Sequence, residues 1–71
     1  MSDTQHIGRK IRNRRDALGW TLEFLSEKCE LSTRTLDDIE LGRTTDPHFS
    51  TILKIANALS MDLAELNVYN T

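Results

Sequence analysis

Five of the nine lysines and arginines in this 71-residue chain fall within seven positions: Arg9, Lys10, Arg12, Arg14 and Arg15. Side chains of this kind hold anions by charge and by directed N–H donors, so such a run is either a phosphate-binding face or a solvated helix flank. The formal net charge is only -2, which makes the distribution decisive. After Arg43 the only cation is Lys54, against Asp46, Asp62 and Glu65. A polyanion needs a positive face, and a positive total is not required. Catalytic chemistry has little to work with. Cys29 is the single cysteine, and His6 and His48 stand far apart with no paired nucleophile. One thiol and two distant imidazoles match no metal-ligand spacing, and no glycine-rich phosphate loop occurs. The expectation is a binding protein, not an enzyme, with no metal and no cofactor.

The remaining composition bounds the class. A 38% hydrophobic content with regular periodicity supports a folded core. At this length the chain forms one domain, expected over 1–71 with a core at about 7–66 and a tail at 67–71; such a domain buries only ~60% of its unfolded surface. Cys29 excludes an internal disulfide and suits a reducing compartment. Residues 1–17 are polar and basic, unlike a secretory leader, and no stretch approaches the roughly 20 apolar residues that span a bilayer. These features point to a cytoplasmic location.

The elements that must position the charged residues are all helical. Ile7, Ile11 and Leu18 share one face of a first helix, which Gly19 stops as a left-handed cap. Thr21 is a good N-cap for a short second helix that turns Leu22, Leu25 and Cys29 inward, with Trp20 folded back on Phe24 or Leu25. After Glu30 and Leu31, Ser32 caps a third helix with Leu36 and Ile39 inside and Thr33, Arg34, Asp37 and Asp38 outside. Gly42 ends it, and a loop runs from Arg43 to Pro47. A fourth helix spans about Phe49 to Leu59, with Phe49, Ile52, Ile55, Ala56 and Leu59 on one side. Asp62 and Glu65 are spaced as the capping box of a fifth short helix ending near Leu66.

Two short capped helices joined by a three-to-four-residue turn, Thr21 to Leu41, have the internal layout of a helix-turn-helix. Leu25, Ser26, Leu31, Leu36 and Ile39 sit where the two helices touch. The outward residues at the start of the second are then free to enter a DNA major groove. Here the chain resembles the phage-repressor and Cro type of helix-turn-helix protein, the XRE family. The resemblance covers about 7–66 and rests on Ile7-Gly8, Ile11, Arg15, Gly19, Leu25, Leu31-Ser32, Leu36, Ile39-Glu40-Leu41-Gly42-Arg43, Pro47, Ile55-Ala56 and Leu59, all in register. It implies an all-α, five-helix, lambda-repressor-like domain that binds double-stranded DNA as a homodimer and regulates transcription, most simply as a repressor.

The resemblance also assigns roles. Thr33, Arg34, Asp37 and Asp38 match base-reading positions; a guanidinium such as that of Arg34 can bond guanine O6 and N7 together. Thr21, Arg15, Arg43, Thr44 and Thr45 match positions along the DNA backbone. Arg15 and Glu40 match a structural ion pair, and Phe49, Leu66, Val68 and Tyr69 a dimer contact. The chain departs from the pattern where Leu22 replaces a polar residue and where Glu30 and Ser60 replace glycines. Asp37 and Asp38 put carboxylates on the reading face, where they either accept from cytosine N4 or repel phosphate. A second expectation therefore stands beside the first: a protein-interaction module that keeps the fold without binding DNA, with Trp20, Leu22 and Phe24 as its contact patch.

Overall fold

A computed structural model describes residues 3–44, 47–62 and 66. Within them the chain forms four helices, α1 (Asp3–Ala17), α2 (Leu22–Cys29), α3 (Thr33–Glu40) and α4 (Phe49–Leu59), and no strand. The expected fifth helix falls mainly on 63–65, outside the described residues, and the four helices are those of the described residues. α1 and α2 each pack on both α3 and α4. The core they enclose is Ile7, Ile11, Leu25, Cys29, Leu36, Ile39, Ile52, Ile55, Ala56, Leu59 and Leu66. These residues recur at intervals of three and four within each helix, and helices of eight to fifteen residues draw most of their stability from burying such a face.

Three side chains depart from their expected places. Leu18 lies beyond the last turn of α1, where the chain is already reversing, and is 41% exposed. Phe49 begins α4 and is 55% exposed, so the buried stripe of that helix starts at Ile52. Leu66, expected at a dimer contact, is fully buried with the core and has no surface to offer a partner.

All four helices stop the same way. A left-handed residue stands at the C-cap of α2 and α4 and just beyond the last turn of α1 and α3, and two backbone bonds reach back into the last turn. Gly19 and Gly42 adopt φ of 72° and 74°, where glycine is unstrained. Glu30 and Ser60 do the same work at 59° and 56°, at a cost of roughly 1–2 kcal/mol each for the crowded Cβ. The following residue closes each cap: Trp20 N–H to Arg15 O at 3.0 Å, Leu31 N–H to Ser26 O at 3.0 Å, Arg43 N–H to Asp38 O at 2.8 Å and Met61 N–H to Ala56 O at 2.9 Å. Trp20, Leu31 and Met61 pack on the core; Arg43 is the polar exception.

α1 meets α3 backbone to backbone. A Cβ on Gly8 would fall on the Ile39 carbonyl oxygen and within 2.7 Å of that of Glu40, so only glycine admits this approach. Beside it, Arg15 Nε donates to Glu40 Oε2 at 2.8 Å and Nη2 to Oε1 at 3.0 Å, while Nη1 donates to Trp20 O at 2.8 Å. The two side chains are 13% and 3% exposed. The hydrogen bonds that Arg15 donates to Glu40 raise the arginine's pKa above its ordinary value, against the opposing effect of burial, so the guanidinium stays charged.

Gly8→Ala should destabilise the domain by about 3 kcal/mol, because the obstacle is main chain and cannot step aside. Glu40→Ala leaves a partly buried guanidinium without its bidentate partner and should cost about 2–3 kcal/mol. Thermal melts followed by circular dichroism check both; an unchanged melting temperature for either contradicts the junction described. Glu30→Gly is expected to stabilise by up to about 1 kcal/mol by relieving the left-handed strain, read in the same melts.

Candidate nucleic-acid interface

The starts of α2 and α3 face a common open depression of about 510 Å³, lined by Leu22, Glu23, Thr33, Arg34, Asp37, Asp38 and Arg43. Local chemistry sets both starts. Thr21 Oγ1 accepts from the Phe24 N–H at 3.0 Å, which caps α2. Ser32 Oγ accepts from the Thr35 N–H at 3.1 Å and donates to Thr35 Oγ1 at 2.8 Å, which caps α3. With α3 starting at Thr33, helical spacing separates two flanks. Leu36, Ile39 and Glu40 are buried, whereas Arg34 is exposed and Thr33, Asp37 and Asp38 are half-buried at the rim. The remaining first-turn N–H groups of α2 suit an anion on dipole grounds, although Glu23 already occupies that first turn.

Arg43 reaches the depression from the end of α3. Its Nη1 lies 3.5 Å from Asp38 Oδ1 and 4.0 Å from Asp37 Oδ2. The backbone N–H groups of Arg43 and Thr44 both donate to Asp38 O, at 2.8 and 3.4 Å. Thr45 lies outside the described residues. The depression therefore gathers Thr33, Arg34, Asp37, Asp38 and Arg43, with Thr21 and Thr44 adjoining them along the chain. Its charged lining is two guanidiniums, Arg34 and Arg43, against three carboxylates, Glu23, Asp37 and Asp38. Glu23 is the residue that sequence reasoning overlooked. Its position two residues after the α2 N-cap, on the side where α3 also begins, was the available signal.

The basic run of α1 is not one phosphate-binding face. Arg15 is committed to Glu40 and Trp20 O and is almost enclosed, which makes it a scaffold residue and removes it from the DNA-backbone set. Arg14 Nε donates to Leu59 O at 3.2 Å, satisfying a carbonyl at the end of α4. Arg12 sits 3.8 Å from Asp16, one helical turn away. Arg9 and Arg12 line a separate hollow of about 310 Å³ with Glu40 and Leu41.

Other singled-out residues have structural roles. Trp20 and Phe24 meet edge to face, centroids 4.8 Å apart, and Lys28 Nζ stands 5.3 Å above the Phe24 ring. Cys29 Sγ donates to Leu25 O at 3.1 Å inside the core. Burial pushes its thiol up in pKa, away from the thiolate that redox or nucleophilic chemistry requires. His48 is exposed at the start of α4 and makes no side-chain capping bond. Phe49 is exposed on the first turn of that helix, while Val68 and Tyr69 lie outside the described residues. Among the described residues no group of histidine, cysteine and carboxylate side chains is placed to hold a metal, and no helix is long and apolar enough to cross a membrane.

Neither the curated proteins nor the solved structures contain a match to the chain. The model of a helix-turn-helix family matches residues 11–66, which takes in Arg15, both motif helices and their caps, Arg43 and the whole of α4. The chain belongs to this XRE-type helix-turn-helix family of DNA-binding regulators.

Proposed function

We propose that the protein is a sequence-specific double-stranded DNA-binding regulator, with α3 entering the major groove and the chain acting as a repressor from an operator bound as a dimer. The observation that carries this reading is the single open face on which the capped starts of α2 and α3 assemble Thr33, Arg34, Asp37, Asp38 and Arg43. Arg34 reads a base: it is exposed, and among the described residues no carboxylate pairs with it. Thr33 contacts a thymine methyl or a phosphate, and the carboxylates accept from base amino groups. Thr21, Arg43, Thr44 and Thr45 lie along the sugar-phosphate backbone. One such domain covers a few base pairs, and a two-fold pair of half-sites about 34–36 Å apart suits a dimer. Its contact involves the exposed Phe49 together with Val68 and Tyr69 of the tail.

One observation favours a second reading. Three carboxylates against two guanidiniums is an unusual balance for a surface that meets phosphate. A domain that kept the fold as a protein-interaction module would present Phe24, which is 40% exposed, with the half-buried Trp20 and Leu22 beside it. Retention of a random duplex in a low-salt gel shift favours DNA binding, and its absence favours the interaction module.

Site selection from random DNA followed by fluorescence titration separates the two arginines. Arg34→Ala should weaken binding to the selected site by roughly 10- to 100-fold, the ~1–3 kcal/mol of one bidentate base contact, and change binding to random duplex little. Arg43→Ala should weaken both and reduce the salt slope by about one. Equal losses for the two variants on both duplexes would remove Arg34 from the reading role.

A further inference from the structure

We infer that Asp37 and Asp38 hold Arg43 in reserve, so that this arginine reaches a DNA phosphate only by exchanging the carboxylates for it. The inference rests on the DNA-binding reading above and concerns what that binding must displace. Asp38 grips Arg43 at both ends: its carbonyl accepts the Arg43 backbone N–H at 2.8 Å, and its Oδ1 lies 3.5 Å from Nη1. At the corresponding position after α1, α2 and α4 stand Trp20, Leu31 and Met61, each packed on the core. Arg43 is 66% exposed there instead, tethered by its backbone and held at its tip by the carboxylates, with solvent around the rest of its long side chain.

The exchange has an electrostatic consequence. Once Arg43 turns to a phosphate, the depression keeps one guanidinium, Arg34, beside the carboxylates of Glu23, Asp37 and Asp38. Carboxylates facing a duplex without a donor are repelled by it. On a site that presents cytosine N4 or adenine N6 to Asp37 or Asp38, the amino group replaces the departed guanidinium. On other sequences nothing does. The aspartates thus depress non-specific binding more than specific binding, and specificity comes from penalising the wrong duplex, not from tightening on the right one. Asp37 and Asp38 act on phosphate contact through Arg43, which makes them positioning residues in that respect.

The test is a double-mutant cycle on the full chain, read as affinity for a random-sequence duplex at low salt, with wild type, Asp38→Asn, Arg43→Ala and the double variant. Asp38→Asn should tighten binding by about 3- to 5-fold when Arg43 is present, the scale of an exposed ion pair, and by clearly less when Arg43 is alanine. Asp37→Asn, at the longer contact, should show the same coupling more weakly. In the free protein the Arg43 Nε–H resonance should move when Asp38 becomes Asn, a readout independent of DNA. Tightening by equal factors in both backgrounds would mean plain repulsion and overturn the reserve while leaving DNA binding intact. An unmoved Arg43 resonance overturns it as well. If none of the four folded proteins is retained by duplex, the DNA-binding reading itself falls, and this inference falls with it.

Discussion

The junction between α1 and the last turn of α3 is the constraint on which the rest of this small domain depends. Gly8 lets the main chain of α1 touch the carbonyls of Ile39 and Glu40, and Arg15 then closes on Glu40 with two parallel hydrogen bonds. An enclosed ion pair contributes little net energy against a well-packed apolar alternative, but it is costly to half-remove, and it accepts only one geometry. Because Arg15 also binds the carbonyl of Trp20, the same guanidinium fixes the corner at which α2 begins. One side chain therefore orients both motif helices relative to α1. Their exposed N-terminal turns inherit that orientation.

The helix ends turn this rigidity into a surface. Short helices joined by links of four, three and eight residues need sharp, satisfied stops, and here each stop is a left-handed residue followed by one whose N–H reaches back to the helix. Three of these following residues are apolar and lock the stop onto the core. The fourth, Arg43, spends the same backbone geometry on placing a cation beside α3. The domain accepts a non-glycine in the strained position at Glu30 and Ser60, a local cost that packing of Leu31 and Met61 offsets.

Charge on the candidate interface is more evenly opposed than the arginine-rich N-terminal segment suggests. Of the five cations of α1, Arg15 and Arg14 serve the scaffold and Arg12 has a nearby aspartate. The face made by α2 and α3 holds carboxylates in slight excess. Such a surface draws little on the sequence-independent phosphate attraction that dominates most DNA binding. On the proposed DNA-binding reading, discrimination comes from directed contacts of Arg34, Thr33 and the aspartates. In the proposed exchange, Arg43 is the cation that moves between the two aspartates and a polyanion.

Much of this was legible in the sequence, because helix periodicity and caps are local. Thr21 and Ser32 as N-caps, Gly19 and Gly42 at the stops, and the inward stripes of Leu25, Leu36, Ile39 and Ile52 to Leu59 follow from spacing and side-chain type alone. The helix-turn-helix register came with them. Tertiary structure decided what local pattern cannot express, which is the choice among partners. An arginine reads the same whether it meets a phosphate, a carbonyl or a glutamate: the family resemblance paired Arg15 with Glu40, but only packing assigned Arg14 to the Leu59 carbonyl. Leu18, Phe49 and Leu66 are equally apolar in type, yet the ends of their helices turn the first two outward and the core encloses the third. The two carboxylates beside Arg43 are adjacent in the chain to each other but not to it, and the cap of α3 is what brings them together.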